Sequence, residues 1–208
     1  MNLDTFRRLA AIAVVAAPTL SMAQIVDFAQ IDASSNASTL VLARELPRTG
    51  TAEPAPLLSL TAARWDTGEA AAIGYVYRCR LTDGPHQWLV GAGAGANTFH
   101  SRADGDRKSR SDMSARAQTE LSGPAPGGAY YALAQASSFR NSWFATVQYL
   151  PTRLPIAVEV SSYNEATYHS VSTALRISIG VPHWFVRVGA TRADGDTVPF
   201  FGITYNGF

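Results

Sequence analysis

From His169 to Ile179 the side chains change character at every step: Val171, Thr173, Leu175, Ile177 and Ile179 alternate with Ser170, Ser172, Ala174, Arg176 and Ser178. A period of two marks a strand with one apolar and one polar face, because successive side chains on a pleated backbone point to opposite sides. The pattern continues in Trp184, Val186, Val188 and Ala190 against Phe185, Arg187 and Gly189, and Asp194-Gly195-Asp196 then supplies a hairpin turn. Upstream, Ile156, Val158 and Val160 alternate with Ala157, Glu159 and Ser161, and Trp143, Ala145, Val147 and Tyr149 with Ser142, Thr146 and Gln148. Ala71, Ile73, Tyr75 and Tyr77 alternate with Gly74, Arg78 and Arg80, while Trp88, Val90, Ala92, Ala94 and Ala96 alternate with Gly91, Gly93 and Gly95. A chain written this way folds as an all-β protein.

Shorter segments complete the set. Leu58 and Leu60 against Ser59 and Thr61 make one strand, and residues Val26 to Ile31 and Thr39 to Leu46 make the first two. The turn-rich stretches Asp32 to Ser38, Pro47 to Pro56, Trp65 to Gly68 and Asp83-Gly84-Pro85 separate them. In Ser111 to Phe139, Ser111 or Asp112 offers a cap for a helix running to Leu121. The alternation of Ala115, Ala117, Thr119 and Leu121 with Arg116, Gln118 and Glu120 favours strands instead, since a helix would spread those polar groups around its circumference. The tally is about twelve strands, with 10 or 8 as the neighbouring even counts, and an even count is the rule for bacterial single-chain barrels.

At the amino end Arg7 and Arg8 precede the apolar run Leu9 to Leu20, and Ser21-Met22-Ala23 offers small residues before Gln24. This is the layout of a secretory signal peptide over residues 1–23, with a single mature domain over 24–208. The apolar run, roughly a dozen residues broken by Pro18, is short of the roughly 20 that a spanning helix needs. No cysteine stands near the cleavage point, so a lipid anchor is not expected. The one cysteine, Cys79, cannot form an internal disulfide and reads as a small apolar strand residue. Charged residues make up 16% of the chain with a net charge of +1, and the basic ones are scattered, so no nucleic-acid partner is expected.

The last residues, Phe201-Gly202-Ile203-Thr204-Tyr205-Asn206-Gly207-Phe208, alternate and close on an aromatic ring. They resemble the assembly signal of bacterial outer-membrane β-barrels, a terminal strand with an aromatic last residue and apolar residues at alternate positions before it. Here Phe201, Ile203 and Tyr205 stand one residue out of phase with Phe208, and a bulge at Asn206-Gly207 would bring them into step. The resemblance implies a transmembrane antiparallel up-and-down β-barrel in the bacterial outer membrane. It also implies contact with lipid and lipopolysaccharide, and insertion by the barrel-assembly machinery. Without a spanning helix in the mature chain, a membrane protein built from it has to be a closed barrel. A soluble β-sandwich would alternate similarly, but the terminal Phe208 and the Trp and Tyr near strand ends speak for the barrel.

If Phe208 faces the periplasm, connections alternate between the two sides. The segments Trp65 to Gly68, His100 to Arg110, Phe139 to Ser142, Tyr163 to Thr167 and Arg192 to Thr197 then lie outside. The long charged loop Arg102 to Arg110 falls on the side where barrels carry their long loops.

The polar faces carry Arg78, Arg80, Arg116, Glu120, Gln148, Glu159, Arg176 and Arg187. Charges facing lipid at mid-membrane cost about 2–4 kcal/mol each, which turns this set inward as lumen-lining residues. With five arginines to two glutamates, the first expectation is a porin-like channel weakly favouring anions, such as a small acid or an acidic oligosaccharide. The alternative is a closed barrel plugged by Arg–carboxylate pairs, serving adhesion, envelope structure or a secretion machine. An outer-membrane hydrolase needs a nucleophile beside a base. Adjacent His169 and Ser170 would point to opposite faces of a strand, His100 with Ser101 reads as a solvated turn before the long loop, and none of His86, His100, His169 and His183 opens a His-x-Ser pattern, so no enzyme is expected. The repeated Arg-Ala-Asp-Gly-Asp at Arg102 to Asp106 and Arg192 to Asp196 reads as turn chemistry, because a calcium loop supplies more oxygens at fixed intervals. Arg107, Lys108 and Arg110 read as a solvated loop cluster with lipopolysaccharide phosphates as the other reading. No cofactor or metal is expected.

Overall fold

The computed structural model describes residues 26–46, 55–101, 108–166 and 168–207. Twelve strands follow one another: β1 (Phe28–Ser34), β2 (Ala37–Glu45), β3 (Leu57–Trp65), β4 (Gly68–Arg80), β5 (Gln87–Ser101), β6 (Lys108–Ala125), β7 (Gly128–Ser137), β8 (Ser142–Pro151), β9 (Ile156–Glu165), β10 (Tyr168–Ser178), β11 (Trp184–Ala193) and β12 (Asp196–Asn206). Each strand pairs antiparallel with its sequence neighbours, and β1 pairs with β12 to close the barrel. The even count and the up-and-down order are those expected from the alternation. Closure removes every sheet edge along the paired length, which is how an antiparallel sheet with an apolar outer face avoids edge-to-edge association.

The register fixes which side chains share a face. Arg78 stands opposite Gly91 and Gly91 opposite Gln118; Gln148 stands opposite Glu159, Arg176 opposite Arg187, and Arg187 opposite Gly202, which faces Asp32 across the closing seam. These residues therefore lie on one surface, and their burial marks it as the inner one: Arg78, Gln118, Gln148, Glu159, Arg176 and Arg187 are all buried. The opposite surface exposes Ile73, Tyr75, Tyr77, Trp88, Leu121, Trp143, Val147, Val158, Val160, Val171, Leu175, Val188 and Phe201. The usual inside-out order is reversed, with apolar groups outward and ionised groups inward, so the buried core of this protein is polar.

The connections follow local turn chemistry. The β11–β12 hairpin turns on Asp194 and Gly195, both at positive φ (51° and 93°), as a two-residue turn that matches strand twist requires. Between β7 and β8 a single 3-10 turn, Phe139–Asn141, places Arg140 at φ 56° and Asn141 at φ 48°.

Several boundaries differ from expectation. Asp32 to Ser34 belong to β1 and not to a turn; the β1–β2 connection is only Ser35 and Asn36, tightened by Ser34 Oγ accepting from the Ala37 amide at 3.0 Å. Strands β5 and β6 extend to Ser101 and from Lys108, so their hairpin takes in residues read as loop; Arg102 to Arg107 lie outside the described residues. The β1–β12 ladder runs unbroken to Asn206, with the Gly207 amide donating to the Asp27 carbonyl at 2.8 Å. Phe201, Ile203 and Tyr205 face outward along this ladder, and the bulge expected at Asn206-Gly207 bears on Phe208, which lies outside the described residues. Residues 1–25 and Pro47 to Pro54 also lie outside the described residues.

Candidate functional site

The inner face is organised around two arginines, each holding carboxylates on both flanks. Arg78 on β4 pairs with Glu45 on β2 in one direction and with Glu120 on β6, at 3.2 Å, in the other. Its Nε and Nη2 also donate to the Ala55 carbonyl at 2.9 and 2.7 Å, which draws the entry of β3 beneath it. Glu120 is completed by Gln118, at 2.7 Å, and by the Tyr131 hydroxyl, at 3.3 Å. Arg187 on β11 repeats the plan: it pairs with Asp32 on β1 and with Glu159 on β9 at 2.6 Å. Arg176 reaches the other Glu159 oxygen at 2.7 Å and Gln30 at 3.2 Å, and Gln30 in turn donates to Asp32 at 2.8 Å.

Arg78 and Arg187 thus each reach two strands to either side along the wall. At a strand spacing near 4.8 Å and the usual tilt, twelve strands put opposite backbones about 24 Å apart. An arginine and a carboxylate meeting end to end fall well short of that. The pairs of Arg78, Arg176 and Arg187 therefore join strands at most two apart and run along the wall.

A third cluster sits at the end opposite the β1 start and the β12 end. Arg140 donates from Nε and Nη2 to the two Glu165 oxygens at 3.1 and 2.9 Å and lies 4.0 Å over the Phe99 ring, which contacts Trp65 at 5.7 Å. The Ala166 amide donates to the Arg140 carbonyl at 3.2 Å, tying the β7–β8 turn to the β9–β10 turn. Those contacts hold Arg140 in a left-handed backbone that costs a β-carbon roughly 1–2 kcal/mol.

Arg116 differs from the others. It extends over Gly74 and Gly95, where an added β-carbon would run into its guanidinium, so glycine on β4 and β5 is what admits it. Its Nη2 donates to Asn97 Oδ1 at 3.2 Å, and Asn97 donates onward to Ser114 Oγ at 2.8 Å. Among the described residues it has no carboxylate partner. Arg80, at the last position of β4, is exposed at the rim.

The structure therefore brings six of the eight expected residues into two networks or beside them: Arg78 with Glu120, and Arg176, Arg187 and Glu159, with Gln148 buried opposite Glu159. Arg116 stands apart, and Arg80 is at the rim. Sequence reading missed Asp32, Glu45, Arg140 and Glu165. The signal for Glu45 was present in the strand Thr39 to Leu46; Asp32 was hidden in a turn-like run, and Arg140 owes its place to a turn that composition does not specify. These residues correct the charge balance. Five arginines to two glutamates becomes a nearly neutral inner face, in which four arginines are paired.

The histidines take rim positions. His86 Nδ1 meets the Tyr130 hydroxyl at 3.0 Å and His183 Nδ1 the Asn206 carbonyl at 2.9 Å, while His100 and His169 pair opposite Ser109 and Asn164 on the outer face. Cys79 also faces outward. No group of three His, Cys, Asp or Glu side chains among the described residues is arranged to hold a metal ion.

No protein-family model matches the chain, and no curated protein matches its sequence. Solved structures do share its form. The KdgM porin is 9% identical, aligns with 86% of this chain and 97% of its own, and gives a TM-score of 0.54. The KdgM porin in complex with disordered oligogalacturonate is 9% identical, with coverage of 86% and 97% and a TM-score of 0.51. The outer membrane protein Omp33 of Acinetobacter baumannii is 13% identical, with coverage of 87% and 98% and a TM-score of 0.50. At this identity the likeness is one of fold: the chain shares the closed, antiparallel β-barrel of outer-membrane porins over nearly the whole of their length.

Proposed function

We propose that this protein is a narrow porin-like channel of the bacterial outer membrane, with a weak preference for anions and small acidic solutes. The observation that carries this reading is the direction of the ion pairs. Arg78 and Arg187 find their carboxylates along the wall, two strands to either side, and no ion pair among the described residues joins opposite strands of the barrel. A sealed plug would also have to satisfy each of its polar atoms. Here Nε of Arg116, Arg176 and Arg187, Oδ1 of Asp32 and the hydroxyls of Thr146 and Thr204 are buried without a partner. An unmatched buried polar atom costs about 1–3 kcal/mol, which admission of water relieves.

The outer surface supports the membrane address. Its exposed Ile, Val, Leu, Tyr and Trp side chains form an apolar face that water would not tolerate on this scale. Tyr77, Trp88, Tyr130, Tyr149 and Tyr205 gather near one rim, as an interfacial girdle does. On this reading residues 1–23 are an export signal, the protein meets lipid and lipopolysaccharide, and the assembly machinery inserts it; the barrel does no enzymatic chemistry. That KdgM has been captured with oligogalacturonate agrees with acidic solutes as a class.

A closed structural barrel is the second reading, favoured by the exposure of only 3% at Arg78 and 2% at Arg187. Swelling of proteoliposomes in isosmotic solutions separates the two. Uptake of a small acid such as gluconate, with exclusion of large oligosaccharides, supports the channel; vesicles that stay inert to every solute with verified folded barrel support closure.

A further inference from the structure

Resting on the channel reading, we infer that Arg116, with Asn97 and Ser114, is the anion-binding site of the lumen. It takes one small oxyanion or carboxylate at a time and carries the charge selectivity of the inner face by itself.

The inference follows from pairing. Arg78, Arg140, Arg176 and Arg187 each carry a carboxylate within ion-pair distance, so the field of each is cancelled a few ångströms away. Arg80 stands exposed at the rim, where water and salt screen it. Arg116 lies inward on β6, four residues from Glu120 in the direction of the β5–β6 hairpin, with one neutral acceptor, Asn97 Oδ1 at 3.2 Å. A half-buried guanidinium lacking a counter-charge is costly to hold. A mobile anion supplies that charge, and the planar fork of Arg fits a carboxylate with two parallel hydrogen bonds.

The surroundings are shaped for this. Gly74 and Gly95 clear the wall, since a β-carbon on either would displace the guanidinium. Asn97 holds Nη2, and Ser114, which accepts from Asn97 at 2.8 Å, fixes which way the amide turns: its oxygen toward Arg116 and its nitrogen away. The fork is thus oriented by neutral groups that leave its charge unspent. Nε has no protein partner.

Two measurements on the refolded full barrel test the site, and they fail separately. In a potassium chloride gradient, the wild type should favour chloride and Arg116→Gln should bring the permeability ratio down to about one, with conductance retained. Arg187→Gln combined with Asp32→Asn removes a neutral pair and leaves the net charge of the inner face as it was, so it should keep the wild-type ratio. An Arg116→Gln channel that keeps the wild-type ratio overturns the assignment. The second measurement is titration of sodium formate into the nitrogen-15-labelled barrel in detergent, following the arginine side-chain Nε resonances. A saturable shift of one resonance that Arg116→Gln deletes supports the site even if the barrel proves silent in a bilayer, an outcome that would sink the channel and not the site. A shift that survives Arg116→Gln, or none up to high formate, overturns the site even if the barrel conducts.

Discussion

Glu159 is the residue on which the inner face turns, because one carboxylate serves two arginines, Arg176 at 2.7 Å and Arg187 at 2.6 Å. Removing its charge leaves Arg176 with Gln30 alone and Arg187 with Asp32 alone. Taking one partner from a buried pair costs on the order of 3 kcal/mol, since the remaining charge stays desolvated. Glu159→Gln should therefore lower the unfolding free energy of the folded barrel in lipid, read from urea titration, by that order, while Arg110→Ser should leave it unchanged. The Arg110–Asp112 pair, at 3.1 Å, is open to water and screened. Equal unfolding free energies for the two variants would contradict the network as the source of stability. The same reasoning applies to glycine: Gly95→Val should evict the Arg116 guanidinium from the wall and lose chloride preference to the same degree as Arg116→Gln, read as reversal potential.

The strands were the legible elements. Alternation in β8 to β12 placed Trp143, Val158, Leu175 and Val188 on one face and Gln148, Glu159, Arg176 and Arg187 on the other, as the paired register has them. What the alternation cannot carry is where a strand stops. Asp32 stands in a run of Asp, Ser and Asn that reads as a turn, and only its place opposite Gly202 across the closing seam makes it a strand residue and a partner of Arg187. Arg140 was illegible for a different reason. Its position depends on two consecutive positive-φ residues without glycine, and on Glu165 and Phe99, which lie on strands distant in sequence. Turn chemistry itself was readable at Asp194-Gly195, and it makes an element-scale prediction. Gly195, at φ 93°, should not accept a β-branched residue: Gly195→Val should cost about 1–2 kcal/mol in urea unfolding, with no change in ion selectivity. A neutral substitution would mean that the hairpin tolerates another turn type.

For the whole molecule, closure is the property from which the rest follows. Twelve strands give a barrel wider than the roughly eight whose interior side chains fill, and narrower than the 16 to 18 of wide porins. A polar wall in such a barrel is either a conduit or an incompletely satisfied plug, and the ion pairs running along the wall favour the conduit. The most direct measurement is single-channel current through the refolded barrel in a planar bilayer under symmetric potassium chloride. The account predicts steady, small, uniform conductance steps that depend on folded protein. A verified folded barrel that inserts and passes no current would contradict it.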